Sequence, residues 1–129
     1  MTLFSKIIVG EIPSYKVAEN DDFYAFLDIN PLTKGHTLVV PKIEEDYIFN
    51  LDDEVLGDMM IFSKKLARAI EKTTPCTRVG VAVIGLEVPH AHIHLIPIQS
   101  ESDMNFSNPK LKLSTEEMSE IAERIRANF

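Results

Sequence analysis

Hydrophobic and polar positions along this chain change period several times, and each change marks an expected element. After Pro13, "SYKVAEN" (14–20) and "DFYAFLDI" (22–29) are short β-rich runs around Asn20-Asp21-Asp22, a spacing that predicts a hairpin. "HTLVVP" (36–41) predicts a third strand, stopped by Pro41, and "TRVGVAVIG" (77–85) and "AHIHLIPI" (91–98) predict two more. No helical pattern separates the first three, so the sheet is expected to be antiparallel. The period lengthens from about Asp53 to Glu71, where Val55, Met59, Phe62, Leu66 and Ile70 share one stripe. Asp52, Asp53 and Glu54 suit the positive N-terminal end of that helix. Over about 114–128, Ser114 and Glu117 make a capping box ahead of Met118, Ile121, Ala122 and Ile125. The methionines of both helices are expected in the core. "NPLTKG" (30–35) and "TTPC" (73–76) are turns rather than boundaries, and residues 99–113 read as an irregular polar connection. The expectation is one α+β domain over 1–129, with about five antiparallel strands and two main helices.

Composition narrows the function more than the fold. A hydrophobic content of 45% with 26% charged residues is that of a globular chain. The formal net charge of −7 argues against broad nucleic-acid binding, which depends on cationic side chains neutralising phosphates. It leaves room for a small anionic ligand in a locally favourable pocket. The single Cys76 excludes an internal disulfide and fits a reducing cytoplasm. No apolar run reaches the roughly 18–20 residues of a membrane span, and "MTLFSKIIVGEIP" lacks the pattern of a signal peptide. A soluble cytoplasmic protein without membrane contact is expected.

The candidate chemistry lies in "PHAHIHLIPI" (89–98), which holds three of the four histidines. In a strand His90, His92 and His94 point to one face, while Ala91, Ile93 and Leu95 face the other, so Ile93, Leu95 and the following Ile96 can hold the strand against a core. Three uses of that face compete. Hydrogen-bonded structural histidines suit a single imidazole better than three in register. A metal site would need further ligands or carboxylate partners, for which Glu87 and Asp28 are available. Nucleophilic catalysis at phosphorus would use one neutral imidazole to attack and its neighbours to bind phosphate oxygens and carry a proton.

His90-Ala91-His92-Ile93-His94-Leu95-Ile96 resembles the alternating signature of the histidine-triad (HIT) superfamily. "LFSKIIVGEIPSYKVAENDDFYAFLDINPLTKGHTLVVPK" (3–42) is similar to the N-terminal half of its nucleotide-binding branch, so the resemblance covers residues 3–98. It implies a HIT-like fold and a nucleotide hydrolase acting at the α-phosphate of a purine nucleoside phosphoramidate or related nucleotide, through a covalent nucleotidyl-histidine. His92 falls on the nucleophile, His94 on the group that contacts phosphate and assists proton transfer, and His90 on the histidine that positions the others. His36 matches a supporting histidine behind them; taken alone it reads as a solvent-facing strand-end residue. Asp28 matches the carboxylate that binds ribose hydroxyls, where an ordinary solvated carboxylate is the plain alternative. Phe4, Ile7, Phe26 and Ile29 match apolar positions around the base, although core packing alone would account for each.

The resemblance also implies a homodimer, a substrate carrying an AMP or GMP moiety, and no metal or other cofactor. Histidine rather than glutamine at position 94 favours hydrolysis over nucleotidyl transfer. Leu86 and Glu87 stand where relatives often carry glutamine and serine near the phosphate. Thr2 and Ser5 occupy positions where some bacterial relatives have zinc-binding cysteines. A nucleotide-binding regulatory module with little turnover and a dinucleoside polyphosphate hydrolase are the alternatives.

Overall fold

The computed structural model describes residues 1–129. Its sheet contains β1 (Lys16–Glu19), β2 (Phe23–Leu27), β3 (Thr37–Pro41), β4 (Arg78–Ala82) and β5 (Ile93–Ile98), in the order β1-β2-β3-β5-β4. Every neighbouring pair is antiparallel. The expected hairpin forms because Asn20 Oδ1 accepts from the Asp22 and Phe23 amides at 2.9 and 2.8 Å, closing the turn between β1 and β2. Strands β2 and β3 are buried at every position. That is why they read as nearly continuous apolar runs rather than alternating ones.

Both faces of the sheet are covered. Helices α2 (Asp53–Thr73) and α3 (Thr115–Asn128) lie on one face. There Met59, Phe62, Leu66 and Ile70, with Met118, Ala122 and Ile125, share a core with Phe23, Ala25, Val39, Ala91, Ile93 and Leu95. Ser114 and Glu117 form the expected capping box of α3. A short helix α1 (Leu3–Ile8) covers the other face, where Phe4 and Ile7 pack with Tyr24, Phe26, Leu38 and Val40. At six residues α1 is too short to show helical periodicity in the sequence.

Further expectations change. β5 begins at Ile93, so His90 and His92 occupy the extended approach to the strand rather than the strand itself. Met60 is 47% exposed, because it is adjacent to Met59 and falls off the buried stripe of α2. Ile96 is buried outside the main core; its even parity puts it on the histidine side of the sheet. β4 ends at Ala82, and residues 99–113 contain one short 3-10 turn at Glu101–Met104. No helix is long and apolar enough to cross a membrane.

Candidate active site

The alternation of residues 90–94 divides that segment between two environments. Ala91 and Ile93 enter the core beneath α2, while the histidines turn toward α1. A cavity of about 520 Å³ opens on the histidine side. His92 and His94 form one wall, and Phe4, Ile7, Phe26 and Leu38 line an apolar part. Asp28, Ile29, Leu86 and Glu87 also line it; Ile29 and Leu86 are 70% and 88% exposed, which places them at the rim. His90 does not reach the cavity and is fully buried behind it.

Hydrogen-bond partners settle where most of the ring protons lie. A carbonyl oxygen only accepts, so His92 Nδ1 must donate to the His90 carbonyl, 2.8 Å away. His92 Nε2 then carries a bare lone pair and has no partner within the protein. On the neighbouring ring, the Leu32 amide donates to His36 Nδ1 at 3.0 Å, so the His36 proton lies on Nε2. That Nε2–H donates to His94 Nδ1 at 3.0 Å, which leaves the His94 proton on Nε2. The cavity therefore presents a lone pair on His92 beside an N–H on His94, their rings 4.9 Å apart. Phe4 meets His92 edge-on at 5.1 Å, and Phe106 meets His94 edge-on at 4.9 Å, restraining both rings.

Electrostatics keeps these rings neutral. Burial holds His36 down at about 3; burial, then the neighbouring His92, holds His94 down at about 4. Burial also lowers His92, a shift partly offset by its bond to the His90 carbonyl. Burial raises Asp28, against the bond its Oδ1 accepts from the Asn30 amide at 2.8 Å. Asp28 Oδ2 lies 3.7 Å from His36 Nε2. Because His36 is neutral and directs its proton to the nearer His94 nitrogen, this contact is not an ion pair.

Asp28, His36 and His94 bring ligand atoms within 4.8 Å of one another, which makes them the one metal-like grouping in the structure. Their hydrogen bonds oppose that use. A cation on His36 Nε2 would drive its proton to Nδ1, and the Leu32 amide would then face another N–H inside the protein.

Of the residues singled out from sequence, Phe4, Ile7, Phe26, Asp28, Ile29, Leu86, Glu87, His36, His92 and His94 line one cavity. His36 is 1% exposed, so it is not the solvent-facing strand end that it resembles in isolation. Sequence reasoning missed Phe106 and Lys110, which reach the cavity from the 99–113 connection because the Leu111 amide ties that segment to the Pro31 carbonyl at 2.9 Å. The lone aromatic Phe106 in a polar stretch was the available signal.

The HIT domain family model matches residues 9–101. An uncharacterised HIT-like protein of Borreliella burgdorferi is 38% identical over 135 residues, covering 98% of this chain and 97% of that protein. An adenosine 5′-monophosphoramidase of Schizosaccharomyces pombe is 35% identical over 129 residues, with 98% and 97% covered. A HIT-like protein of Bartonella henselae superposes with a TM-score of 0.84 at 33% identity, covering 99% of this chain and 96% of its own.

Proposed function

The chain belongs to the HIT family and is a hydrolase of that type, and from this premise we propose that it cleaves purine nucleoside phosphoramidates at the α-phosphate through a covalent intermediate on His92. The observation that carries the proposal is the proton arrangement: a bare His92 Nε2 beside a protonated His94 Nε2, both on the cavity wall. His92 Nε2 attacks the α-phosphorus while the bond to the amine leaving group breaks. The His92 Nδ1–H to His90 carbonyl bond stabilises the positive charge that develops on the attacking ring.

His94 Nε2–H donates to a phosphoryl oxygen. The substrate nitrogen enters already protonated, so the P–N bond breaks to release a neutral amine while His94 stays singly protonated. Water then attacks the phosphoryl-histidine and gives its proton to the released amine, the His92–phosphorus bond breaks, and the nucleoside monophosphate is released. The scheme uses no metal and no organic cofactor. The base, of an AMP or GMP moiety, rests among Phe4, Ile7, Phe26 and Ile29. Asp28 Oδ2, free of the Asn30 amide, accepts from the ribose hydroxyls. Adenosine phosphoramidate is the first substrate to try, because adenosine 5′-monophosphoramidases are among the relatives that share most of this chain's length.

The functional form is a homodimer. Strand β4 pairs only with β5, and Val81, Val83 and Ile84 stand about half exposed along and just beyond that open edge, a surface suited to a second copy. The test is release of AMP and ammonia from adenosine 5′-phosphoramidate. Turnover by the native chain, unaffected by chelators and absent in His92→Asn, supports the reading. AMP binding without any turnover by the native chain would identify a nucleotide-binding module instead.

A further inference from the structure

His90 is the one triad histidine that never meets the cavity, yet both of its nitrogens are engaged. Nε2 lies 2.8 Å from the Pro41 carbonyl, which only accepts, so Nε2 carries a proton. Nδ1 lies 2.7 Å from Thr2 Oγ1. Thr2 caps α1, and its Oγ1 also accepts from the Ser5 amide at 3.0 Å and donates to Ser5 Oγ at 3.0 Å. Ser5 Oγ in turn donates to Glu44 Oε1 at 2.5 Å, and the Thr2 amide donates to the same oxygen at 2.8 Å. Residues from three separate parts of the chain thus form one line from a fully buried imidazole to a surface carboxylate.

Counting hydrogens along that line gives its charge. Ser5 has one hydroxyl proton, and it goes to the carboxylate. Thr2 has one, and it goes to Ser5. Thr2 Oγ1 can therefore face His90 only as an acceptor, and His90 Nδ1 must donate. With both nitrogens donating, His90 is an imidazolium, and a buried charge of this kind requires a partner. Glu44 is that partner, reached through two hydroxyls. The Ser5 bond, and next the Thr2 amide, hold the Glu44 carboxyl below its usual range, which keeps it ionised.

We propose that Thr2, Ser5 and Glu44 form a hydroxyl relay that holds a second proton on His90, making all three positioning residues for the neighbouring nucleophile. The relay is reversible with every proton placed. His90 Nδ1–H passes to Thr2, the Thr2 proton to Ser5 and the Ser5 proton to Glu44, which releases it to water. Its consequence lies at His92, where a positive charge on His90 disfavours a second proton and so preserves the lone pair. The charged and titratable groups around the relay are Glu44, the Met1 ammonium 3.8 Å from it, and His92, which Asp28 and Glu87 influence from the cavity side.

The kinetic consequence rests on His92 being the nucleophile; the charge on His90 does not, and the two are measured separately. In the native protein with 15N-labelled histidine, NMR at pH 7 should show both His90 nitrogens protonated, and Glu44→Gln or Ser5→Ala should remove the Nδ1 proton. Glu44→Asp should restore it. A singly protonated His90 in the native protein, or a His90 indifferent to Glu44→Gln, would overturn the relay. In hydrolysis assays Glu44→Gln should move the acidic limb of kcat/KM up by about one pH unit, a tenfold loss on that limb, with KM unchanged. If the protons behave as stated and the limb stays put, the relay does not govern the nucleophile.

Discussion

Acidification should destabilise this fold through its buried imidazoles, and the size of the effect follows from two of them. His36 and His94 are held at about 3 and about 4, against an ordinary value of 6.5, chiefly because burial disfavours their charged forms. Across the window below 6.5 the unfolded chain takes up a proton at each site that the folded chain refuses. Stability is therefore fully present above that window and falls as pH drops through it. From pH 7 to pH 5, each group crosses about 1.5 pH units of the window, costing about 2 kcal/mol per histidine and about 4 kcal/mol together.

That is a large part of the roughly 5–15 kcal/mol that holds a domain folded. Glu19, held low first by its bond to Lys42, adds a loss of the same sign only below 4.5, and Asp28, raised by burial, works the other way. Urea denaturation followed by circular dichroism at pH 7, 6 and 5 measures the effect as a falling midpoint at constant slope. His94→Gln, which retains an acceptor for the His36 proton, should remove about half of the pH dependence. A midpoint unchanged between pH 7 and pH 5 would refute the reasoning, as would His36 and His94 rings that titrate in their ordinary range by NMR.

Asp28→Asn should raise KM for an adenosine phosphoramidate about tenfold, the loss of one charge-assisted hydrogen bond of about 1.5 kcal/mol, while the 2′,3′-dideoxy analogue is little affected in the same assay. Gly35 has φ +92°, and a Cβ there would lie 2.9 Å from Thr74 Oγ1 and 3.2 Å from Pro97 Cγ. Gly35→Ala should therefore cost about 1–3 kcal/mol and lower Tm by about 5 °C or more in a thermal melt. Val81→Glu, on the open edge strand, should shift sedimentation from dimer to monomer at micromolar concentration without changing the far-ultraviolet spectrum.

What could be read in advance divides by distance along the chain. The hairpin at Asn20, the long stripe of α2 and the capping box at Ser114 depend on residues within a few positions of one another, so their patterns survive in the linear sequence. The alternation around His92 likewise announced two faces, although not that β5 would start only at Ile93. Helix α1 was illegible because six residues carry no period, and Met60 because two adjacent methionines cannot both lie on one narrow stripe. The burial of His36 required β3 to pair with β5 and Phe106 to close over it, contacts spanning 58 and 70 residues. Lys110 at the cavity and the link from Thr2 to His90 are also long-range; the family resemblance sets Thr2 and Ser5 apart, but not the bond to His90.

The central claim is that His92 Nε2 becomes covalently bonded to phosphorus during turnover. Mass spectrometry of the native protein, rapidly quenched while hydrolysing adenosine 5′-phosphoramidate and then digested, tests it directly. The account predicts an adenylyl adduct on the peptide containing His92, assigned to that residue and absent from His92→Asn. Turnover with an adduct on a different residue, or with none on any quenching timescale, would contradict it.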